Sequence, residues 1–447
     1  MKLSIRGGRL TRAVPSILCV LVALGGCALV GCAAGGGTSS SPSAPPTAAS
    51  SDGHHWVVWV DSERSGTLDP RSTVRAFDLD AGIGRDVCMA ESVKESPVVS
   101  SRWVVWIDRR DDATPFDDQG VRDLYCYELA SGEERRLTRD ANPIEAPAID
   151  GDIVVWADRP ESSTAESGGF EGPAVALDLA NGERREFLVP GARAFAPVVS
   201  DGWVAWWSIE IDPSIEEISW ADIRLAEFSS GEIRSIEVNV PQPLQYQPLG
   251  LVMDVPWLAW QSITGPSGGA AATADIRIAD AEGGGERTVS GETSEGSFLM
   301  YPAIAGRHVV WYETPRTGQQ HGAIFACDVE AGTPRRLCRA DLGWGGLAAG
   351  DDWVVWAQIR ETAQGRSESD IVAYNLATGE RRVVCAAKGD QRSPLITGEW
   401  VVWEDARDST AGGDDRTWDV YAFNLETGQE LAVCTDPGNH GWLSVSR

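Results

Sequence analysis

The sequence predicts an all-β fold, a single eight-bladed β-propeller, and two observations carry this prediction. A strand of the Val-Val-Trp type, followed by a polar loop, a second strand, a Gly turn and a further strand, recurs eight times. The repeats are 45 to 54 residues apart, a period typical of propeller blades. Their anchor tryptophans are Trp59, Trp106, Trp156, Trp206, Trp260, Trp311, Trp356 and Trp403.

The third repeat illustrates how each copy divides into four strands. Strands are predicted at residues 146–149, 153–156, 174–179 and 184–188. A short Gly turn joins the first two strands, and an Asn-Gly hairpin turn joins the last two. The connection between the second and third strands is long. Each blade is therefore predicted to be four-stranded and antiparallel.

The second strand of each repeat is apolar on both faces. In Trp103-Val104-Val105-Trp106 the two tryptophans are three residues apart and point to opposite faces of the sheet. A strand with this pattern is buried on both sides, as it is when one blade packs between two others. We therefore interpret the repeated tryptophans as core residues and not as a platform for sugar binding.

The two ends of the chain are predicted to share one blade. The first repeat has no first strand of its own, whereas residues 441–446 read as a lone first strand after the last complete repeat. Adding this strand to the first blade removes the free edges of an open ring. The propeller is therefore assigned to residues 53–447, and we expect it to be a monomer.

The N-terminal segment predicts export and anchoring. A positively charged start precedes an apolar stretch at residues 14–30 and the tetrapeptide Leu29-Val30-Gly31-Cys32. This segment resembles a bacterial lipoprotein signal peptide with its lipobox. The resemblance implies removal of residues 1–31, lipidation of Cys32 and anchoring to the outer face of the cell membrane. Residues 32–52 are rich in Gly, Ser, Pro and Ala and are predicted to be a flexible tether.

The net charge argues against one class of partner. The chain carries a formal charge of −28 at pH 7. Nucleic-acid phosphates would be repelled by such a chain, so no nucleic-acid partner is expected. A high negative charge also keeps an exposed protein soluble.

Six cysteines remain in the propeller region, and their number permits disulfides outside the cytoplasm. Four end the last strand of their repeats and two share a position in the third strand. This equivalence favours their use as small buried hydrophobic residues. They are Cys88, Cys126, Cys327, Cys338, Cys385 and Cys434.

Two segments carry a resemblance to a known family. Residues 123–138 and 370–382, together with the Asp-Arg pair that follows an anchor tryptophan, as in Asp108-Arg109, resemble the blades of TolB-like (WD40-like) propellers. The resemblance extends over about residues 53–447 and implies a propeller fold. Propellers of this type occur in envelope proteins, receptors, lyases and peptidases, so the resemblance leaves the function open.

The candidate site lies where the repeat varies. The long connections, predicted at 108–122, 159–172, 207–221 and 406–418, should all emerge on one face, where binding loops are common. The residues before the first strands should ring the mouth of the central channel on that face, and they are aromatic on one side and charged on the other. They are Glu95, Glu145, Phe195, Tyr246, Tyr301, Trp344, Arg392 and His440.

Catalytic motifs are sparse in the sequence. Five histidines are present, and no Ser-His-Asp order, nucleophile elbow or His-rich metal set is recognisable. The sequence therefore predicts no enzyme and no resident metal, although the acidic pairs Asp117-Asp118 and Asp414-Asp415 leave calcium binding open.

The leading hypothesis is a non-enzymatic, lipid-anchored surface propeller that binds a protein, peptide or glycan through its long-loop face. The alternative is a carbohydrate-active, polysaccharide lyase-like propeller with its site at the channel mouth.

Overall fold

The computed structural model describes residues 53–62, 71–111, 121–139, 145–158, 171–212, 217–236, 250–264, 273–283, 285–291, 297–315, 321–363, 365, 367–410 and 416–447. These residues form eight four-stranded antiparallel sheets, which confirms the predicted eight-bladed propeller. None of the described residues belongs to a helix that could cross a membrane. The predicted signal peptide, the tether and Cys32 lie outside the described residues, as do both acidic pairs.

Each blade contains four strands, numbered here from the channel outwards. The innermost strands of blades 1 to 8 are Asn439–Val445, Lys94–Val99, Ala148–Asp150, Arg193–Ser200, Val252–Asp254, Ser297–Ala305, Leu342–Gly350 and Gln391–Thr397. The second strands are Trp56–Ser62, Trp103–Asp108, Ile153–Ala157, Trp203–Asp212, Trp257–Thr264, His308–Pro315, Trp353–Glu361 and Trp400–Asp405. The third strands are Thr73–Asp78, Asp123–Glu128, Ala174–Asp178, Glu217–Glu227, Thr273–Asp280, Gly322–Asp328, Ser367–Asn375 and Asp419–Asn424. The outermost strands are Ile83–Cys88, Glu134–Arg136, Arg184–Phe187, Ile233–Ile236, Arg287–Thr288, Pro334–Ala340, Arg381–Cys385 and Glu430–Cys434.

The anchor tryptophans are buried in every blade, at no more than 2% exposure. In blade 2, Trp106 pairs with Tyr125 of the third strand, and their rings stack with centroids 6.1 Å apart. Blade 8 repeats this arrangement with Trp403 and Tyr421 at 6.2 Å. The interpretation of these tryptophans as core residues is therefore confirmed.

The core lies between the blades. The buried hydrophobic side chains form clusters, and each cluster combines residues from two neighbouring blades. Trp106 of blade 2, for example, packs with Val58 and Val74 of blade 1. Because blades 8 and 1 share a cluster of the same kind, the ring is closed by packing as well as by strand pairing.

The C-terminal strand completes blade 1, as predicted. It pairs antiparallel with the second strand of that blade, from Val57 opposite Val445 to Ser62 opposite Asn439. Beyond the strand, the Ser446 N–H donates to the Trp56 carbonyl at 2.9 Å, and the Ser446 hydroxyl accepts from the Trp56 N–H at 2.9 Å.

One predicted long loop is wrong. The segment 207–221 of blade 4 is an extended hairpin, in which Ile209 pairs with Ala221 and the ladder continues to Asp212 opposite Glu217. Apolar and polar residues alternate along Ser208-Ile209-Glu210, a pattern that favours strand over loop. The blade therefore projects a two-stranded ribbon on the long-loop face.

The six cysteines are free thiols, and five of them are buried. Burial raises the pKa of the Cys126 and Cys385 thiols to about 11, so both are protonated at neutral pH. These properties agree with their interpretation as small hydrophobic residues.

Candidate functional site

The innermost strands begin on the long-loop face and bulge immediately after they begin. In blade 2 the regular pairing breaks between Glu95 and Val98, and the same break recurs in blades 1, 4, 6, 7 and 8. A β-bulge of this kind re-aims the side chains around it. The mouth of the channel is therefore lined by irregular backbone, which lies near the start of the innermost strand in each of these blades.

Each of these six bulges contains a residue in the left-handed region of backbone space, and blade 5, whose innermost strand has no such break, has Gly250 in this conformation ten residues before its anchor tryptophan, as in blade 6. This position, which we call the bulge position, holds Trp442, Ser96, Ala196, Gly250, Tyr301, Gly346 and Ser393 in blades 1, 2, 4, 5, 6, 7 and 8. A non-glycine residue costs about 1–2 kcal/mol in this conformation. Blades 5 and 7 avoid this cost with Gly, blades 2, 4 and 8 have the small residues Ser or Ala there, and blades 1 and 6 carry large aromatic residues.

The aromatic rings at the bulge position are partly exposed. Tyr301 has a φ of 56° and Trp442 a φ of 60°, and each is 38% exposed. Trp344, two residues before the bulge position of blade 7, is 58% exposed. We call Tyr301, Trp344 and Trp442 the aromatic arc, since blades 6, 7, 8 and 1 are consecutive in the ring.

Glycine in blade 7 makes room for part of this arc. A Cβ atom on Gly346 would lie 2.9 Å from Cδ1 of Tyr301, closer than real Cβ contacts. Gly345 is similarly crowded by Ser393 of blade 8, whose Cα would lie 2.4 Å from an added Cβ. The missing side chains allow blades 6, 7 and 8 to approach closely at the mouth.

The charged residues predicted for the channel mouth bind other residues of the propeller. Glu95 lies 2.7 Å from Nε of Arg109, which is almost fully buried. Glu145 of blade 3 accepts a 2.6 Å hydrogen bond from the backbone N–H of Ala196, the bulge position of blade 4. Both carboxylates therefore link or brace the blades.

Arg392 forms a small cluster inside blade 8. Its Nε donates to Glu404 at 2.5 Å, and its guanidinium lies 3.6 Å from the centroid of the Trp418 ring. Glu404 is buried, and burial raises its pKa although Arg392 opposes that shift. Gly441 of blade 1 adjoins this carboxylate, since an added Cβ would lie 3.6 Å from Glu404 Oε1.

His440 and Phe195 are buried and do not form the surface of the mouth. His440 Nδ1 lies 3.3 Å from an Asp61 carboxylate oxygen, and Nε2 lies 3.5 Å from Cys434 Sγ. Burial lowers the pKa of His440, but Asp61 and Cys434 outweigh it and raise the pKa to about 10. Phe195 belongs to the hydrophobic cluster between blades 4 and 5.

The predicted ring therefore divides into different groups. Glu95, Glu145, Phe195 and Arg392 each lie eleven residues before their anchor tryptophan, whereas Tyr301 lies ten and Trp344 twelve residues before theirs. Tyr246 lies outside the described residues. The exposed aromatic residues thus come from positions around the bulge.

Sequence reasoning missed two features. Trp442 occupies the bulge position of the closing strand, which an alignment of that strand with residues 96–99 would have shown. A second cluster combines His54, Asp78 and Asp80, whose ligand atoms lie within 4.8 Å of one another on the short-turn side of blade 1. Only the hairpin fold brings these residues together.

Comparisons with known proteins support the fold. No protein-family model matches the chain, and no curated protein does. Among solved structures, a puromycin hydrolase is 15% identical, with 78% of this chain and 54% of that chain covered and a TM-score of 0.50. An oligogalacturonate lyase from Vibrio parahaemolyticus is 11% identical, with 76% and 94% covered and a TM-score of 0.44. TolB from Acinetobacter baumannii is 13% identical, with 78% and 67% covered and a TM-score of 0.38.

At this level of similarity the comparisons bear on the fold alone and establish no particular activity. The chain spans about half the length of the puromycin hydrolase it matches. The expectation that the protein is not an enzyme needs correction, because a puromycin hydrolase is among the structural neighbours. At these identities the propeller fold alone does not settle whether the chain is an enzyme.

Proposed function

We propose that the propeller binds a neutral, extended glycan across the mouth of its central channel, over the aromatic arc. The observation that carries this proposal is the presence of exposed aromatic rings at two strained bulge positions, Tyr301 and Trp442. Local strain persists where the surrounding structure imposes it, and it clusters at functional sites. Small residues at the same position in other blades indicate that the bulge itself does not need a ring.

The chemistry of the mouth favours a neutral and hydroxylated ligand. Indole and phenol rings offer flat apolar faces with one polar atom each, which suits the apolar and polar faces of a sugar ring. The nearby carboxylates of Glu95, Glu145 and Glu404 already form ion pairs or hydrogen bonds with other residues of the propeller. A polyanionic glycan would also meet a chain with a formal charge of −28.

A glycan microarray screened with the full chain tests this proposal. Neutral oligosaccharides that bind should then lose at least about tenfold in affinity, measured by calorimetry, in each of Tyr301→Ala, Trp344→Ala and Trp442→Ala, because aromatic anchors dominate binding energy. Val383→Ala, which shortens an exposed side chain on the outermost strand of blade 7, is the matched control. Binding of a protein alone, or equal binding by the arc variants, would overturn the proposal.

One observation favours a second candidate, a carbohydrate-active propeller. Glu404 is a buried carboxyl group with a raised pKa, and it adjoins Gly441, the neighbour of Trp442. Carboxyl groups with raised pKa values serve as general acids in glycan cleavage. Incubation of the bound glycan with the protein, followed by mass spectrometry, should then reveal shorter products that disappear in Glu404→Gln.

We further propose that the mature protein is a monomer held at the outer face of the cell membrane by a lipid on Cys32. The lipobox-like sequence Leu29-Val30-Gly31-Cys32 supports this proposal. Metabolic labelling with a radioactive fatty acid should mark the wild type and not Cys32→Ala. Equal labelling of both proteins would contradict the assignment.

A further inference from the structure

A cluster of metal-ligating side chains lies on the opposite face of the molecule from the aromatic arc. His54 precedes the second strand of blade 1, and Asp78 and Asp80 end the third strand and begin its turn. One ligand atom from each of the three side chains lies within 4.8 Å of the others. The hairpin thus unites residues that are distant in sequence.

Asp78 is positioned before any ligand arrives. Its Oδ1 accepts the backbone N–H groups of Asp80 at 3.0 Å and Ala81 at 2.9 Å, which fixes the turn. Its Oδ2 then faces Nδ1 of His54 at 2.7 Å. His54 Nδ1 is shielded from solvent, so this short contact between the two ligand atoms is held away from water.

Asp80 is positioned in the same way. Its Oδ2 accepts the backbone N–H of His55 at 2.7 Å, and its Oδ1 accepts Nε1–H of Trp400 at 3.0 Å. The His55 ring also lies 2.9 Å from Asp80 and packs where blade 8 has Gly398. Hydrogen bonds of this kind orient the ligands of metal ions in proteins.

The cluster is an addition to the repeat. The residue at the end of the third strand is Asp or Asn in six blades, where its side chain accepts N–H groups of the following turn, and Glu in blades 2 and 4. The position of His54, two residues before the second strand, holds Ser, Gly, Asp or Val in the other seven blades. The turn therefore accounts for the presence of an Asp at position 78, whereas no feature of the repeat accounts for a His at position 54.

We propose that His54, Asp78 and Asp80 bind one divalent transition-metal ion, with zinc as the class that fits best. An imidazole nitrogen with two carboxylate oxygens is a donor set that zinc accepts, whereas calcium and magnesium prefer oxygen alone. Three protein ligands leave one position of a tetrahedron for water. Asp80 also accepts a hydrogen bond from Trp400 of blade 8. The bound ion therefore connects His54, near the start of the propeller, to blades 1 and 8.

Calorimetric titration of the chelator-treated full chain with zinc chloride tests the proposal, with manganese and calcium chlorides as further probes. The wild type should bind one equivalent of zinc more tightly than either other ion and should melt at a higher temperature when saturated. His54→Ala should lose this binding and this melting shift, and Asp80→Asn should bind at least about tenfold more weakly. His321→Ala is the matched control, since His321 Nδ1 lies 2.5 Å from Asp341 in a comparable two-residue pair.

Stoichiometric binding that survives in His54→Ala would overturn the proposal, as would the absence of zinc binding by the wild type. X-ray absorption of the zinc-loaded protein separates this cluster from Cys434 and His440. Only nitrogen and oxygen neighbours are expected, and a zinc–sulfur distance of about 2.3 Å would contradict the assignment.

Discussion

The second-strand tryptophans and the aromatic arc place similar side chains in opposite environments. Trp106 and Trp403 are completely buried between blades, and each bonds through Nε1 to a carboxylate two residues further on. Trp344 and Trp442 are exposed at the channel mouth, and Trp442 occupies a strained backbone position. The comparison teaches that repetition marks residues that build the blades, whereas departure from the repeat marks residues that can serve a ligand.

The largest expected effect is at a buried anchor. Trp106→Ala should lower the free energy of unfolding by about 3–5 kcal/mol, because it removes a fully buried side chain and leaves a cavity between blades 1 and 2. Chemical denaturation followed by circular dichroism measures this loss. Val383→Ala should change stability by no more than about 0.5 kcal/mol, and an equal loss in both variants would erase the distinction between core and surface.

In the C-terminal strand that closes blade 1, the buried residue His440 lies two positions before the exposed Trp442. The pH dependence of stability reports on His440. His440 is buried and its pKa is raised to about 10 from 6.5, so the charged form stabilises the fold. This contribution is complete below about pH 6.5 and is lost as the pH rises through about 10. The free energy of unfolding of the wild type should therefore fall more between pH 7 and pH 10 than that of His440→Gln. Parallel pH profiles would contradict the raised pKa.

Much of the fold follows from the sequence, because each blade repeats the same burial pattern. The period, the buried second strands and the shared first blade all depend on hydrophobic pattern and are confirmed. The arc was harder to place, because the bulges shift the register and the bulge position accepts residues as different as Gly346 and Trp442. A one-residue shift moves a side chain to the other face of a strand.

The cluster around His54 was beyond sequence reasoning for a different reason. His54 is separated from Asp78 and Asp80 by a whole hairpin, and Asp78 has a structural role in its turn that occurs in six of the eight blades. In the sequence, His54 and His55 lie beside the predicted tether, at the very start of the propeller. The register of the strands places Ser, Gly, Asp or Val at the equivalent position of the other seven blades, so His54 departs from the repeat.

Backbone strain in the arc can be measured with a pair of variants. Tyr301 has a φ of 56°, so Tyr301→Gly should be more stable than Tyr301→Ala by about 1 kcal/mol, since glycine adopts this conformation freely. Both variants should lose the proposed glycan binding equally. Thermal denaturation measures the stability of the two variants, and titration calorimetry measures their affinity for the glycan. If the alanine variant is the more stable one, the strain assigned to this position is absent.

The smallest effect is expected at Arg392, which adjoins the arc and braces blade 8. Its planar guanidinium stacks on Trp418 and donates to Glu404, and lysine keeps the charge without the flat stacking surface. Arg392→Lys should therefore cost about 0.5 kcal/mol of stability in denaturant titrations. Affinity for the proposed glycan should change less than in Trp442→Ala, because Arg392 acts on the scaffold and the ring of Trp442 belongs to the proposed binding surface. A loss of binding in Arg392→Lys as large as in Trp442→Ala would move the boundary of the site from the aromatic arc into the charged side of the mouth.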